Sequence, residues 1–151
     1  MSTKHESADL ILKLYDLRRE ETMRKARTWM VGFNPESAQD VIDVLYGEHS
    51  AYFRQVMSYW DMAASFVLSG AIDEQMFDDA NGEQVFHFAK IEPFLAELRE
   101  KLGPFSRLAP NLEKLVMRSP DAKARLEALR QMSRAVAARR AEATAKAGEE
   151  A

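Results

Sequence analysis

Apolar residues recur along this chain at helical spacing, and no stretch of four or more alternates cleanly as a half-buried strand would. Leu10, Leu14 and Leu17 form one stripe, and Trp29 and Met30 resume it after a charged run from Arg18 to Arg27. That pattern predicts a first helix from a Ser7 cap to Val31, stopped by Gly32. Within it, Glu20–Arg24 and Glu21–Lys25 are i,i+4 pairs of favourable polarity. Asn34-Pro35 reads as the cap and first position of a short second helix ending at Tyr46-Gly47. A third helix is predicted over 48–69, with Gly70 at its end, and Asp73 caps a brief fourth to Ala80 before the Asn81-Gly82 turn. The fifth runs from Glu83 to Leu102. Pro93 lies inside it and clashes with the carbonyl of Ala89, so a kink or a restart is expected there, and Gly103-Pro104 closes the element. Asn111 opens a short helix to Arg118, and Ser119-Pro120-Asp121 opens the last one.

The third helix is the expected centre. Phe53, Val56, Met57, Trp60, Phe66 and Val67 are among the apolar residues that surround most of its circumference, as in a helix covered on several sides. The last helix has a docking stripe of Leu126, Leu129, Met132 or Ser133, and Val136. Beyond that stripe, Ala137–Ala151 has no large apolar residue and is expected to fray or project. All 14 aromatics lie between Tyr15 and Phe105, which places the core in that stretch.

Composition agrees with the pattern. Ala and Leu number 22 and 14, against 8 Val, 4 Ile and 4 Thr. The 151 residues are therefore read as an all-α, single-domain bundle of five to seven helices. A helical core domain spans 1–120, and a basic C-terminal helix with a frayed tail spans 121–151. The absence of Cys excludes disulfides, thiol catalysis and Cys-ligated metals. The most apolar stretch, 51–72, carries Arg54, Gln55 and Asp61 and is no membrane span, and Met1–Ala8 is no signal peptide. A cytoplasmic location is the expectation.

Charge is segregated. Residues 1–27 carry seven basic and five acidic side chains, 28–98 carry two and twelve, and 99–151 carry twelve and seven. Either the acidic middle packs beside the basic ends of its own chain, or tails pair with the middles of neighbouring copies. Arg134, Arg139 and Arg140 are the candidate partner contacts on the tail. The pI of 5.7 and a tail without aromatics argue against nucleic acid.

Motifs for chemistry are scarce. The residues three before His5, His49 and His87 are Ser2, Tyr46 and Gln84, so the di-iron Glu-x-x-His pattern is missing. Aligning Gly82 on a calcium loop places Phe77 and Phe88 where carboxylates are needed. Six dispersed glycines spell no phosphate-binding loop, and no Gly-x-Ser-x-Gly occurs. No cofactor or metal is expected. Glu83 and His87, one turn apart, are a candidate pH-sensitive or weak metal pair.

One constellation stands out. Arg54, Ser58, Asp61 and Ser65 recur at i, i+4, i+7 and i+11 as a polar line on the central helix, with His49 at its start and Tyr52 and Tyr59 alongside. Either Arg54 pairs structurally with Asp61 or with another helix's carboxylate, or His49, Arg54, Tyr59 and Asp61 line a pocket for a small anionic ligand. The segments Gly47-Glu48-His49-Ser50-Ala51-Tyr52, Ser58–Phe66 and Ala89–Leu95 resemble those of small uncharacterised bacterial helical proteins, over about residues 10–120. That resemblance implies a bacterial, all-helical protein and transfers no site. The resulting expectation is a non-enzymatic interaction or regulatory protein, with self-association as one form of it. A ligand-binding helical pocket is the alternative, and an enzyme ranks third.

Overall fold

The computed structural model describes residues 1–103 and 107–149. Pro104 of the expected helix stop, Phe105, and the last two positions of the tail lie outside the described residues. Among the described residues there are nine α-helices, one 3₁₀ turn and no strand. They are α1 (Lys4–Leu17), α2 (Glu21–Gly32), α3 (Ala38–Tyr46), α4 (Ser50–Leu68), α5 (Glu74–Ala80), α6 (Glu83–Ile91), a turn at Glu92–Phe94, α7 (Leu95–Leu102), α8 (Pro110–Val116) and α9 (Ala122–Glu149).

Seven helices are expected from the pattern, and two of them divide. The first breaks because Glu20 turns its carboxylate onto the N–H groups of Thr22 and Met23, at 2.9 and 2.8 Å, and caps a new helix. Glu20 therefore does not serve as the ion-pair partner of Arg24, whereas Lys25 and Glu21 meet at 2.9 Å as expected. The other division is the restart at Pro93. Caps also move. Thr3 and Glu6 form a reciprocal capping box that starts α1 ahead of Ser7. Ser7 is instead buried, and its hydroxyl accepts the N–H of Asp73 at 3.0 Å, tying α1 to the start of α5. Ser37 and Asp40, not Asn34-Pro35, cap α3 in the same reciprocal way. Asp73 caps α5 as expected, accepting the N–H of Met76 at 2.9 Å.

Helix α4 lies at the centre, packed against α2, α3 and α8 and touching α5 and α6. Phe53, Val56, Met57, Trp60, Ala63, Ala64 and Val67 are its buried residues, spaced three and four apart on one broad face. Trp60 packs edge-on to both Tyr59 and Phe77. Its uncovered edge follows part of the polar line, with Arg54, Ser58 and Met62 exposed there.

Helix α9 docks on α6 and α2, burying Ala122, Leu126 and Ser133, with Met132 half exposed. Ser133 donates to Asn34 Oδ1 at 2.6 Å. Beyond that docked part α9 continues as helix to Glu149, exposed from 138 to 148. Ion pairs connect the acidic middle with both basic ends of the same chain: Lys4–Asp73 at 2.8 Å, Arg27–Glu83 at 2.6 Å, Arg118–Glu74 at 2.9 Å and Arg130–Glu92 at 3.3 Å. Among the described residues no helix is long and apolar enough to cross a membrane.

Candidate functional site

The polar line on α4 borders a cleft of about 820 Å³ between α4, Leu45 of α3, Leu102 of α7 and residues 107–109. Leu45, Met57, Met62, Leu102 and Leu108 supply its apolar wall, and Arg54 and Arg107 its cationic groups. Helix α8 forms beside it for a reason that lies on α4. Its own cap residue, Ala109, has no side-chain acceptor and sits in the left-handed region at φ 50°. Asp61 takes over that duty: Oδ1 accepts the N–H groups of Asn111 and Leu112 at 2.8 and 2.9 Å, and Oδ2 accepts the Asn111 amide at 2.9 Å. The carboxylate thus sits on the positive end of the α8 dipole.

The expected Arg54–Asp61 pair does not form. Arg54 makes no ion pair among the described residues, and Asp61 is occupied by three N–H donors. Asp61→Ala is expected to destabilise the fold by about 2 kcal/mol, the upper range for a lost helix cap, measured by urea denaturation. A change below about 0.5 kcal/mol would show that α8 does not depend on this cap.

Arg54 and Asp61 line one cleft, but His49 and Tyr59 do not join them. The His49 ring stacks on Trp29 at 5.1 Å, and Tyr52 lies alongside at 6.0 Å. Tyr59 points towards α1, where its phenol donates to the Leu14 carbonyl, and burial pushes its pKa up to about 12. Arg134 and Arg139 are exposed on α9. Arg140, also exposed, borders a second cleft.

That second cleft adjoins a buried polar cluster of which only the Glu83–His87 spacing was readable in advance. Arg27 donates to Glu83 through Nε at 2.8 Å and Nη2 at 2.6 Å, and His87 Nε2 lies 3.0 Å from Oε1. Arg18, nearly buried, approaches Glu83 at 3.7 Å with its guanidinium against the Tyr15 and Trp60 rings. Burial pushes the Glu83 carboxyl up, but the His87 and Arg27 hydrogen bonds outweigh it and hold the pKa at about 2. Burial lowers the pKa of His87. The neutral ring therefore keeps its proton on Nε2, facing a carboxylate that can only accept, and Nδ1 has no partner among the described residues.

One turn further along α6, buried Lys90 donates to the carbonyls of Met30, Val31 and Phe33 at 2.5, 3.0 and 2.9 Å, closing the C-terminal end of α2. Its pKa is drawn down to about 8 by burial. Nothing in the local sequence links residue 90 to residues 30–33. Only the packing of α6 on α2 does so.

The family described as Domain of unknown function (DUF4760) matches residues 4–119. No curated protein and no solved structure matches the chain.

Proposed function

This chain belongs to the DUF4760 family, and on that premise we propose that it is a non-enzymatic binding domain of the cytoplasm whose α4 cleft takes a small amphipathic anion. The observation that supports this reading is the pairing of a long apolar wall with two guanidiniums, Arg54 and Arg107, at one cleft of about 820 Å³. Leu45, Met57, Met62, Leu102 and Leu108 suit a short acyl or aryl body, and the methionines adapt to its shape. Arg54 suits a carboxylate or phosphate head. Asp61 is engaged in capping α8, and Ser58 donates within its own helix to the Gln55 carbonyl at 3.4 Å. A binding role needs only this static complementarity, whereas catalysis needs a free base or nucleophile beside the ligand.

Titration with decanoate, followed by calorimetry, tests the reading. Saturable binding is expected, with acetate at the same ionic strength giving none, because the apolar wall supplies most of the affinity. Arg54→Ala, at an exposed position, is expected to keep the fold and weaken decanoate binding about tenfold, the typical worth of a charge-assisted hydrogen bond. Absence of saturation, or equal affinity in wild type and Arg54→Ala, would count against the proposal.

A further inference from the structure

We infer a second binding site, of different chemistry, in the cleft between α2, α6 and the C-terminal half of α9. It is a site for a small phosphate-type oxyanion, held by Arg24, Arg27 and Arg140.

The cleft has a volume of about 300 Å³, and Arg24 and Arg27 of α2, Glu83 and His87 of α6, and Arg140 of α9 are its charged and titratable lining. One carboxylate therefore faces three arginines there, and that carboxylate is already committed. Arg27 grips it through two N–H groups, Arg18 stands behind it at 3.7 Å, and His87 holds Oε1. Arg27 keeps Nη1, whose one contact is a long 3.4 Å bond to the Arg18 carbonyl. Arg24 and Arg140 make no ion pair among the described residues. Each has a guanidinium fork of donors with no acceptor of its own, converging on one concave site from two helices.

Placing like charges together without a counter-ion is unfavourable, and water screens them only in part within a cleft. An oxyanion with several acceptor oxygens removes that cost and can accept from all three guanidiniums at once. The cleft is too shallow in apolar surface to prefer the amphipathic ligand of the α4 site, since Val31 and Phe86 are its only large apolar lining residues. Arg140 also lies beyond residues 4–119, the part matched by the family, so the site combines the family domain with this chain's own α9. Residues 138–148 are exposed and get little support from packing. An anion bridging Arg140 to α2 would hold that stretch of α9 against the domain.

Calorimetric titration of the full chain with inorganic phosphate, against chloride at matched ionic strength, is the direct experiment. Saturable phosphate binding is expected, weakened about tenfold by Arg24→Gln and by Arg140→Gln, while Arg134→Gln leaves it unchanged. Both weakened variants replace exposed side chains, so far-ultraviolet circular dichroism should match wild type. Amide exchange over 138–148 should slow by about threefold or more when phosphate is bound. Phenyl phosphate in solution and vesicles containing phosphatidic acid separate a free phosphomonoester from a lipid headgroup as the source, and binding of either that Arg24→Gln weakens sustains the site. No saturation, or an equal loss in Arg134→Gln that marks diffuse attraction, overturns it. A failure of decanoate binding leaves this site untouched, because the two clefts share no residue.

Discussion

Glu83→Gln is expected to destabilise the protein by about 3–5 kcal/mol at neutral pH, the cost of stripping a buried ion cluster of its one anion. The carboxylate is mostly buried, with side-chain exposure of 21%, against 11% for Arg18 and 29% for Arg27. A neutral amide leaves both guanidiniums largely out of water with no counter-charge, and breaks the bidentate geometry that Arg27 makes at 2.8 and 2.6 Å. The sign of the pH dependence follows from the pKa of about 2 in the fold, against an ordinary 4.5. Above 4.5 the full stabilisation is present. As pH falls from 4.5 towards 2, the unfolded chain takes up the proton before the folded one, and the stabilisation drains away. His87 adds to acid sensitivity in the same direction, because burial keeps it neutral in the fold and it gains a proton on unfolding. Urea denaturation at pH 7 and at pH 3 should therefore show a wide gap between wild type and Glu83→Gln that narrows in acid. A gap of under about 1 kcal/mol at pH 7 would mean the cluster is held together by something other than its charge.

Lys90→Met should lower stability by about 3 kcal/mol, by a different route. Methionine matches the length and apolar stem of lysine, so packing is retained and the loss isolates the ammonium group. That group serves three carbonyls at once, those of Met30, Val31 and Phe33, at the end of a helix whose dipole favours a cation. Removing it leaves the carbonyl ends of α2 without their donor, that of Met30 at a buried position, and a buried unsatisfied acceptor costs more than the hydrogen bond was worth. Guanidinium denaturation gives the number. A loss below about 1 kcal/mol would mean that solvent reaches those carbonyls when lysine is gone.

The two substitutions also mark how far reading the chain could go. Gly32 reads as a stop, but the cation that completes that stop, Lys90, lies 58 residues on. Glu83 and His87 were recognised as a pair from their spacing, but Arg27 and Arg18 join them from 56 and 65 residues away. Asp61 was recognised as a charge that needs a partner. Arg54, two turns earlier on the same helix, is one candidate partner by spacing, and Asp61 binds the N-terminus of α8 instead. In each case the polar group was legible and its partner was not. A charge on a helix announces a need that several groups can meet, and which one meets it depends on the angle at which helices cross.

Helix type, the stops at Gly32 and Gly70, the cap at Asp73 and the restart at Pro93 follow from interactions within about four residues, the range over which helical hydrogen bonds and caps act, and the apolar circumference of 48–69 marks it for a central place. Those features could be read from residue order alone. Cap choice was decided within a few residues as well, but where two acceptors competed, as Asn34 and Ser37 did before α3, the reciprocal Ser37–Asp40 box prevailed. The exposed edge of α4, the two clefts and the burial of Glu83 and Lys90 came from how α2, α4, α6, α8 and α9 pack. Packing is settled by side-chain shape across large sequence separations, and a single chain of letters carries no record of those distances.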